Sequence, residues 1–163
     1  MNLEYRSPTA DELADVLRTT HVAFGEEMKD DDLERQRAVM PVDRVLAAWD
    51  DGKPVGVTAS WPFAELTLPG GRTAPAAGVT WVGVLPSHRR RGILTELMRR
   101  QLDDVHERGE PLAILWASEA PIYGRFGYGI AATETSVNAE RGAFQLRDDP
   151  GPRGSVRLVT GDE

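Results

Sequence analysis

The 163-residue chain has no cysteine, so disulfide frameworks, thiol nucleophiles, zinc ribbons and iron–sulfur clusters are excluded. Its three histidines, His21, His88 and His106, are too scattered for a metal-binding pattern, and no metal is expected. Positive charge is also scarce: 19 Lys plus Arg stand against 26 Asp plus Glu, a formal net charge of −7. Nucleic acid is therefore not expected as a partner, because phosphate binding needs a basic face that releases counterions. Long apolar runs are missing as well. The strongest, Leu112 to Ala117, is far too short to span a bilayer, and Met1 to Tyr5 carries no signal-peptide region. The expectation is an acidic, cytoplasmic protein with no membrane partner.

What is present is ordinary globular material, 40% apolar and 28% charged, enough for one domain over residues 1–163. Leu3 to Arg6 reads as a short edge strand. Thr9-Ala10-Asp11-Glu12 has capping-box spacing and predicts a helix to about Phe24, broken by Gly25. Asp30-Asp31-Asp32 opens a second helix toward Val39, stopped before Pro41. Val45 to Trp49 and Val55 to Trp61 flank the turn signal Asp50-Asp51-Gly52 and predict a hairpin. After Pro69-Gly70-Gly71, a third strand is expected from Ala77 to Leu85.

Leu94, Leu97, Met98, Leu102 and Val105 recur at helical spacing between Arg91 and Arg108, with Gly109 as terminator. Leu112 to Ala117 predicts a buried strand, followed by a short turn near Ile122 to Phe126. Two weaker strands, Ala131 to Val137 and Val156 to Val159, are expected around the Asp148-Asp149-Pro150-Gly151 loop. This order implies an α/β (α+β) domain with a mixed sheet, in which the strands around the long helix are parallel neighbours.

The most informative stretch joins the third strand to the long helix: Val82-Gly83-Val84-Leu85-Pro86-Ser87-His88-Arg89-Arg90-Arg91-Gly92-Ile93-Leu94-Thr95. A loop entering a helix offers backbone N–H groups at the positive end of the dipole, a natural seat for a pyrophosphate. Three consecutive arginines there oppose the dipole unless an anion compensates. No G-x-x-x-x-G-K-[ST] loop, dinucleotide G-x-G-x-x-G after a first strand, or G-x-S-x-G elbow competes with this reading.

Arg89-Arg90-Arg91-Gly92-Ile93-Leu94 resembles the acetyl-CoA loop of the GCN5-related N-acetyltransferases (GNAT), with Leu94 where that family has a small residue. Ala117-Ser118-Glu119 and Ile122-Tyr123-Gly124-Arg125-Phe126-Gly127-Tyr128-Gly129 are similar to the enhanced intracellular survival (Eis) branch. The resemblance implies the GNAT fold, a mixed, mostly antiparallel central sheet flanked by helices, with a splayed parallel strand pair that binds acetyl-CoA. It also implies that the chain corresponds to the first domain of a longer multidomain protein, and it leaves homo-oligomers open for a full-length form.

By the same resemblance, Val82, Gly83 and Val84 would pair with the pantetheine arm, and Arg90, Arg91, Gly92, Ile93, Leu94 and Thr95 would hold the pyrophosphate. Ser118 and Glu119 would flank the cosubstrate, and Tyr123 would be the general acid, with Tyr128 structural. The branch's general base is the carboxylate ending its full-length chain, which has no counterpart identifiable here.

The acceptor implied is a primary amine, on an aminoglycoside-like polyamine or a lysine side chain. Phe24-Gly25-Glu26-Glu27 and Trp81 are candidate walls for its site. His88 is expected to orient the loop or touch phosphate, and a backbone N–H near Val84 to meet the oxyanion. The alternative is a non-catalytic acyl-CoA-binding or sensing module, or an inactive fragment of an acetyltransferase.

Overall fold

A computed structural model describes residues 3–140, 142, 154, 155 and 157. The chain divides into two compact units, residues 1–129 and 130–163. Everything that forms regular structure among the described residues lies in the first.

Five strands form one sheet in the order β1-β2-β3-β4-β5: β1 is Leu3–Arg6, β2 Val45–Asp50, β3 Lys53–Thr67, β4 Thr73–Val84 and β5 Leu112–Leu115. The first four pair antiparallel, and β4 and β5 pair parallel. The predicted hairpin forms, and Asp51 and Gly52, at φ 49° and 74°, give its turn the left-handed pair that matches strand twist. Both arms of the next hairpin are longer than expected. β3 continues past Trp61 and β4 starts before Ala77, because Leu66 pairs with Ala74 and Thr67 with Thr73 right up to the Pro69-Gly70-Gly71 turn.

Helix α1, Leu13–Phe24, begins with the predicted reciprocal cap: the Thr9 N–H donates to Glu12 Oε2 at 2.9 Å, and the Glu12 N–H to Thr9 Oγ1 at 3.3 Å. It stops where Gly25 turns left-handed, φ 74°, and the Glu26 N–H reaches back to the His21 carbonyl at 2.9 Å. Helix α2 spans Asp30–Val39 and α3 spans Ile93–Glu107.

α1 and α3 cover opposite faces of the sheet. On one, Leu13, Val16 and Leu17 pack with Val45, Ala47, Trp49, Val57 and Ala59. On the other, Ile93 and Leu97 pack with Ala48 and Val55. Full burial of Leu17 or Leu97 contributes about 1.5–3 kcal/mol each. α3 rides directly on β3, since a Cβ on Gly56 would lie 2.9 Å from Ile93 Cγ2.

Two expectations change. β5 is shorter than Leu112 to Ala117 and is not buried: it is the outer strand of the described sheet, and Trp116 beyond it is 77% exposed. No strand forms at Ala131 to Val137, where every residue is exposed. Small and polar side chains dominate that segment, so pairing it would bury little apolar area. Val156 to Val159 and the Asp148 to Gly151 loop lie outside the described residues, Arg157 apart. Among the described residues no helix is long and apolar enough to cross a membrane.

Candidate functional site

The site begins where the sheet stops being regular. Parallel pairing of β4 with β5 ends at Val79 opposite Leu115, yet β4 runs on to Val84 with β3 as its partner. Over the same stretch β4 carries one residue more than β3, for Ala59 faces Thr80 while Val57 faces Gly83. The bulge centres on Trp81, whose φ of 56° is rare for a bulky residue. Together, the lost pairing and the bulge open a cleft of ≈ 180 Å³ whose walls include Phe24, Thr80, Trp81, Val82, Trp116 and Tyr123.

Ser118 and Glu119 also line this cleft, so four of the sequence-predicted site residues, Val82, Ser118, Glu119 and Tyr123, converge in it. Gly83 and Val84 do not line it. Gly83 faces α1, where an added Cβ would lie 2.9 Å from Ala23 Cβ, and Val84 packs beside Ile93 on the α3 side. The missing side chain at Gly83 thus leaves room for helix α1.

Tyr123 sits between two 3-10 turns, Ala120–Ile122 and Gly124–Phe126. Its own carbonyl accepts the Phe126 N–H at 2.9 Å and the Tyr128 N–H at 3.3 Å, which fixes the backbone under the ring. Burial raises the Tyr123 hydroxyl above the ordinary phenol range, and the Glu119 carboxylate adds to the rise. The group therefore keeps its proton throughout the neutral range and is a donor there. Tyr128 packs edge-on against it, ring centroids 5.9 Å apart, with its hydroxyl buried and unbonded among the described residues. Burial first, and Tyr123 second, push the Tyr128 pKa to about 12.

The loop from β4 to α3 forms the second half of the site. Pro86–His88 make a 3-10 turn, Arg90 then takes φ 60°, and Gly92, at φ 79°, opens α3 with no side-chain cap. The N–H groups of Ile93, Leu94 and Thr95, in the first helical turn, have no intrahelical acceptor. A Cβ on Gly92 would meet nothing within 4 Å, so space stands open at that helix end. Ile93 is buried under the loop, Leu94 is half-buried, and Arg90, Arg91 and Thr95 are exposed. A left-handed non-glycine residue costs roughly 1–2 kcal/mol, so the loop is held from outside. Arg89 does part of this: its Nε donates to the Val84 carbonyl and its Nη2 to the Ala23 carbonyl, both at 3.3 Å.

Val79, Thr80, Leu115, Trp116 and Ile122 also line the cleft, and none of them is picked out as a wall by the sequence. The two glycines of this strand, Gly78 and Gly83, suggest a bent or closely approached backbone, but nothing in the sequence puts the bulge at Trp81, a good strand residue by propensity. Phe24 and Trp81, named as acceptor walls, do share the cleft. Glu26 does not line it; its Oε2 lies 3.4 Å from His21 Nδ1.

Residues 4–131 match the acetyltransferase (GNAT) domain family. The chain is similar to an uncharacterised N-acetyltransferase of Streptomyces avermitilis, 49% identical over 109 residues, covering 67% of the chain and 26% of that protein. It is also similar to the N-acetyltransferase Eis of Mycobacterium bovis, 33% identical over 167 residues, 98% of the chain and 41% of that protein. Among solved structures, Eis1 of Mycobacterium abscessus superposes with a TM-score of 0.71 at 40% identity, covering 80% of the chain and 32% of that protein. The chain thus spans about a quarter to two fifths of the length of the curated relatives it matches.

Proposed function

The chain belongs to the GNAT acetyltransferase domain family, and from that premise we propose that it is an acetyl-CoA-dependent N-acetyltransferase acting on a primary amine. The carrying observation is the convergence of Tyr123, a phenol that holds its proton, with the splayed end of β4 in one cleft. The similarity to proteins named Eis supports placing the chain as the first domain of a longer protein, in which homo-oligomers could form. A polyamine or aminoglycoside, or a lysine side chain, is the acceptor class this reading takes.

The fit to the cosubstrate rests on the uncapped α3 terminus and the open space beside Gly92, which suit a pyrophosphate. Gly92, Ile93, Leu94 and Thr95 would hold it through backbone N–H groups, with the Arg90 and Arg91 guanidiniums neutralising charge. The β4 edge past Val79, with Val82 on the cleft wall, offers backbone groups to an extended amide-bearing arm, and Gly83 and Val84 continue that edge toward the loop.

Ser118 and Glu119 flank the arm from the opposite wall. The thioester supplies the activated acetyl carbon. The acceptor enters neutral between Phe24 and Trp81 and its nitrogen bonds the acetyl carbon, while a backbone N–H of the β4 edge stabilises the oxyanion. Tyr123 gives its proton to the sulfur as the C–S bond breaks, and the proton shed by the new amide nitrogen restores the phenol. No covalent enzyme intermediate is needed.

Calorimetric titration with acetyl-CoA, paired with thiol release in the presence of polyamines and aminoglycosides, tests the reading. Tyr123→Phe is expected to lose roughly 10²–10⁴-fold in turnover with acetyl-CoA affinity unchanged. Binding without turnover by the unmodified chain would favour the acyl-CoA-binding module instead, a reading that the chain's partial coverage of its relatives keeps alive. Absence of binding would overturn both.

A further inference from the structure

His88 lies at the end of the 3-10 turn that feeds the anion loop, and its ring is bonded at both nitrogens. Nε2 is 3.3 Å from Asp50 Oδ2, and Nδ1 is 2.9 Å from Ser87 Oγ. Both partners of the His88–Asp50 contact are 19% exposed, so the contact is largely shielded from water. Facing an oxygen acceptor on Asp50, Nε2 is the ring donor in that contact, and Nδ1 shares a hydrogen bond with the Ser87 hydroxyl. The second carboxylate oxygen, Oδ1, is buried and bonds nothing among the described residues. His88 is thus the side chain that holds this carboxylate.

The topology explains why these residues meet. β2 and β4 both run antiparallel to β3, so the C-terminal ends of β2 and β4 flank the start of β3. Asp50 is the last residue of β2, and its backbone is pinned by Leu3 on one side and Lys53 on the other. The loop, in contrast, is anchored through its backbone at His88, whose N–H reaches Leu85 O at 2.8 Å, and again at Glu96, whose N–H reaches Gly92 O at 3.1 Å. Between those anchors fall both left-handed residues, Arg90 and Gly92. Arg89 ties this interval to α1 and β4, and His88 ties its other side to the hairpin.

We propose that the Asp50–His88 pair is a positioning device for the anion loop: Asp50 fixes the His88 ring, and the ring fixes the direction in which the N–H groups of residues 92–95 point. Neither residue touches the acetyl group or the acceptor. The pair acts on affinity for the phosphate-bearing end of the cosubstrate and leaves the chemical step alone. The proposal deepens the function proposed above and rests on acetyl-CoA being the ligand of that loop.

The test compares wild type with His88→Ala, Asp50→Ala, the double variant and His88→Gln, whose amide N–H₂ can still reach Asp50. Acetyl-CoA is set against S-acetylpantetheine, which carries the same thioester but no pyrophosphate. His88→Ala and Asp50→Ala are expected to raise the acetyl-CoA Kd and KM roughly ten- to a hundredfold while kcat at saturation holds. The double variant should be no worse than either single, because the two act as a unit. His88→Gln should recover most of the affinity, and S-acetylpantetheine kinetics should be the same in all five proteins.

Hydrogen exchange at residues 90–95 gives a readout independent of turnover: it should quicken in His88→Ala without a matching fall in global stability. Equal losses for both thioesters, or exchange unchanged in the loop, would overturn the proposal and leave the acetyltransferase reading standing. A wild-type protein that binds no acetyl-CoA would overturn that reading and this one with it. If His88→Ala fails to fold, the Asp50→Ala and His88→Gln pair carries the comparison.

Discussion

Arg44 and Glu110 form a two-pronged ion pair inside the protein, with Nη2 2.6 Å from Oε1, Nη1 3.1 Å from Oε2, and side chains only 10% and 7% exposed. Arg44 ends the turn that enters β2, and Glu110 stands just before β5, 66 residues later. Ser60 on β3 lies 3.5 Å from the same guanidinium. The pair therefore links the start of β2 to the start of β5 beneath the sheet.

Removing one member leaves the other charge buried and unmatched, so Glu110→Ala is expected to cost about 3–5 kcal/mol. Urea unfolding monitored by tryptophan fluorescence reads this directly. The double replacement Arg44→Met with Glu110→Leu should recover most of the loss, because well-packed apolar groups substitute for a buried ion pair at little cost. A single variant as stable as wild type would show that the pair is no structural link.

Tyr123 and Tyr128 are neighbours with opposite expectations. The Tyr128 hydroxyl is buried without a partner among the described residues, so Tyr128→Phe removes an unsatisfied polar group and should leave stability unchanged or raise it by about 1 kcal/mol. Turnover should survive that change and fall in Tyr123→Phe. Thermal melts and thiol-release assays on the two variants, side by side, separate a structural phenol from a proton donor.

Glu12 is held well below the usual carboxylate range, at about 2 against 4.5, first by the Arg6 guanidinium at 2.7 and 2.8 Å and then by the Thr9 N–H. A carboxylate with a lowered folded pKa adds stability that is fully present above its unfolded value and is lost as pH falls through the folded one. The capped start of α1 should therefore weaken between about pH 4.5 and pH 2. Glu12→Gln should show a smaller fall in melting temperature across that window than wild type does, and the two proteins should converge near pH 2.

Much of the fold was legible in the sequence because its cues are local. The Thr9/Glu12 cap, the Asp51-Gly52 turn, the Gly25 stop and the α3 stripe each depend on residues within a few positions of one another. The candidate site rests on motifs in the Arg90 to Thr95 loop and around Tyr123, and of these Tyr123 lines the cleft. What could not be read depends on pairs distant in sequence.

Gly83 leaves the space that Ala23 fills, and Asp50 meets His88 because a strand end 38 residues earlier comes to rest beside it. Neither fact leaves a trace in periodicity. The strand expected at Ala131 to Val137 fails for a different reason: the segment has too little apolar surface to reward pairing.

The bulge at Trp81 makes this site a matter of counting. Thr80 and Gly83 are three residues apart and yet share one side of the sheet, since their partners Ala59 and Val57 do. Deleting a single residue between them would restore simple alternation, keep every later side chain of β4 on its present face, and remove the bulge that helps open the cleft. Chain length between Val79 and Val84 thus decides whether the cleft keeps its shape. Variation in side-chain identity along this segment is a milder change than the loss or gain of one peptide unit.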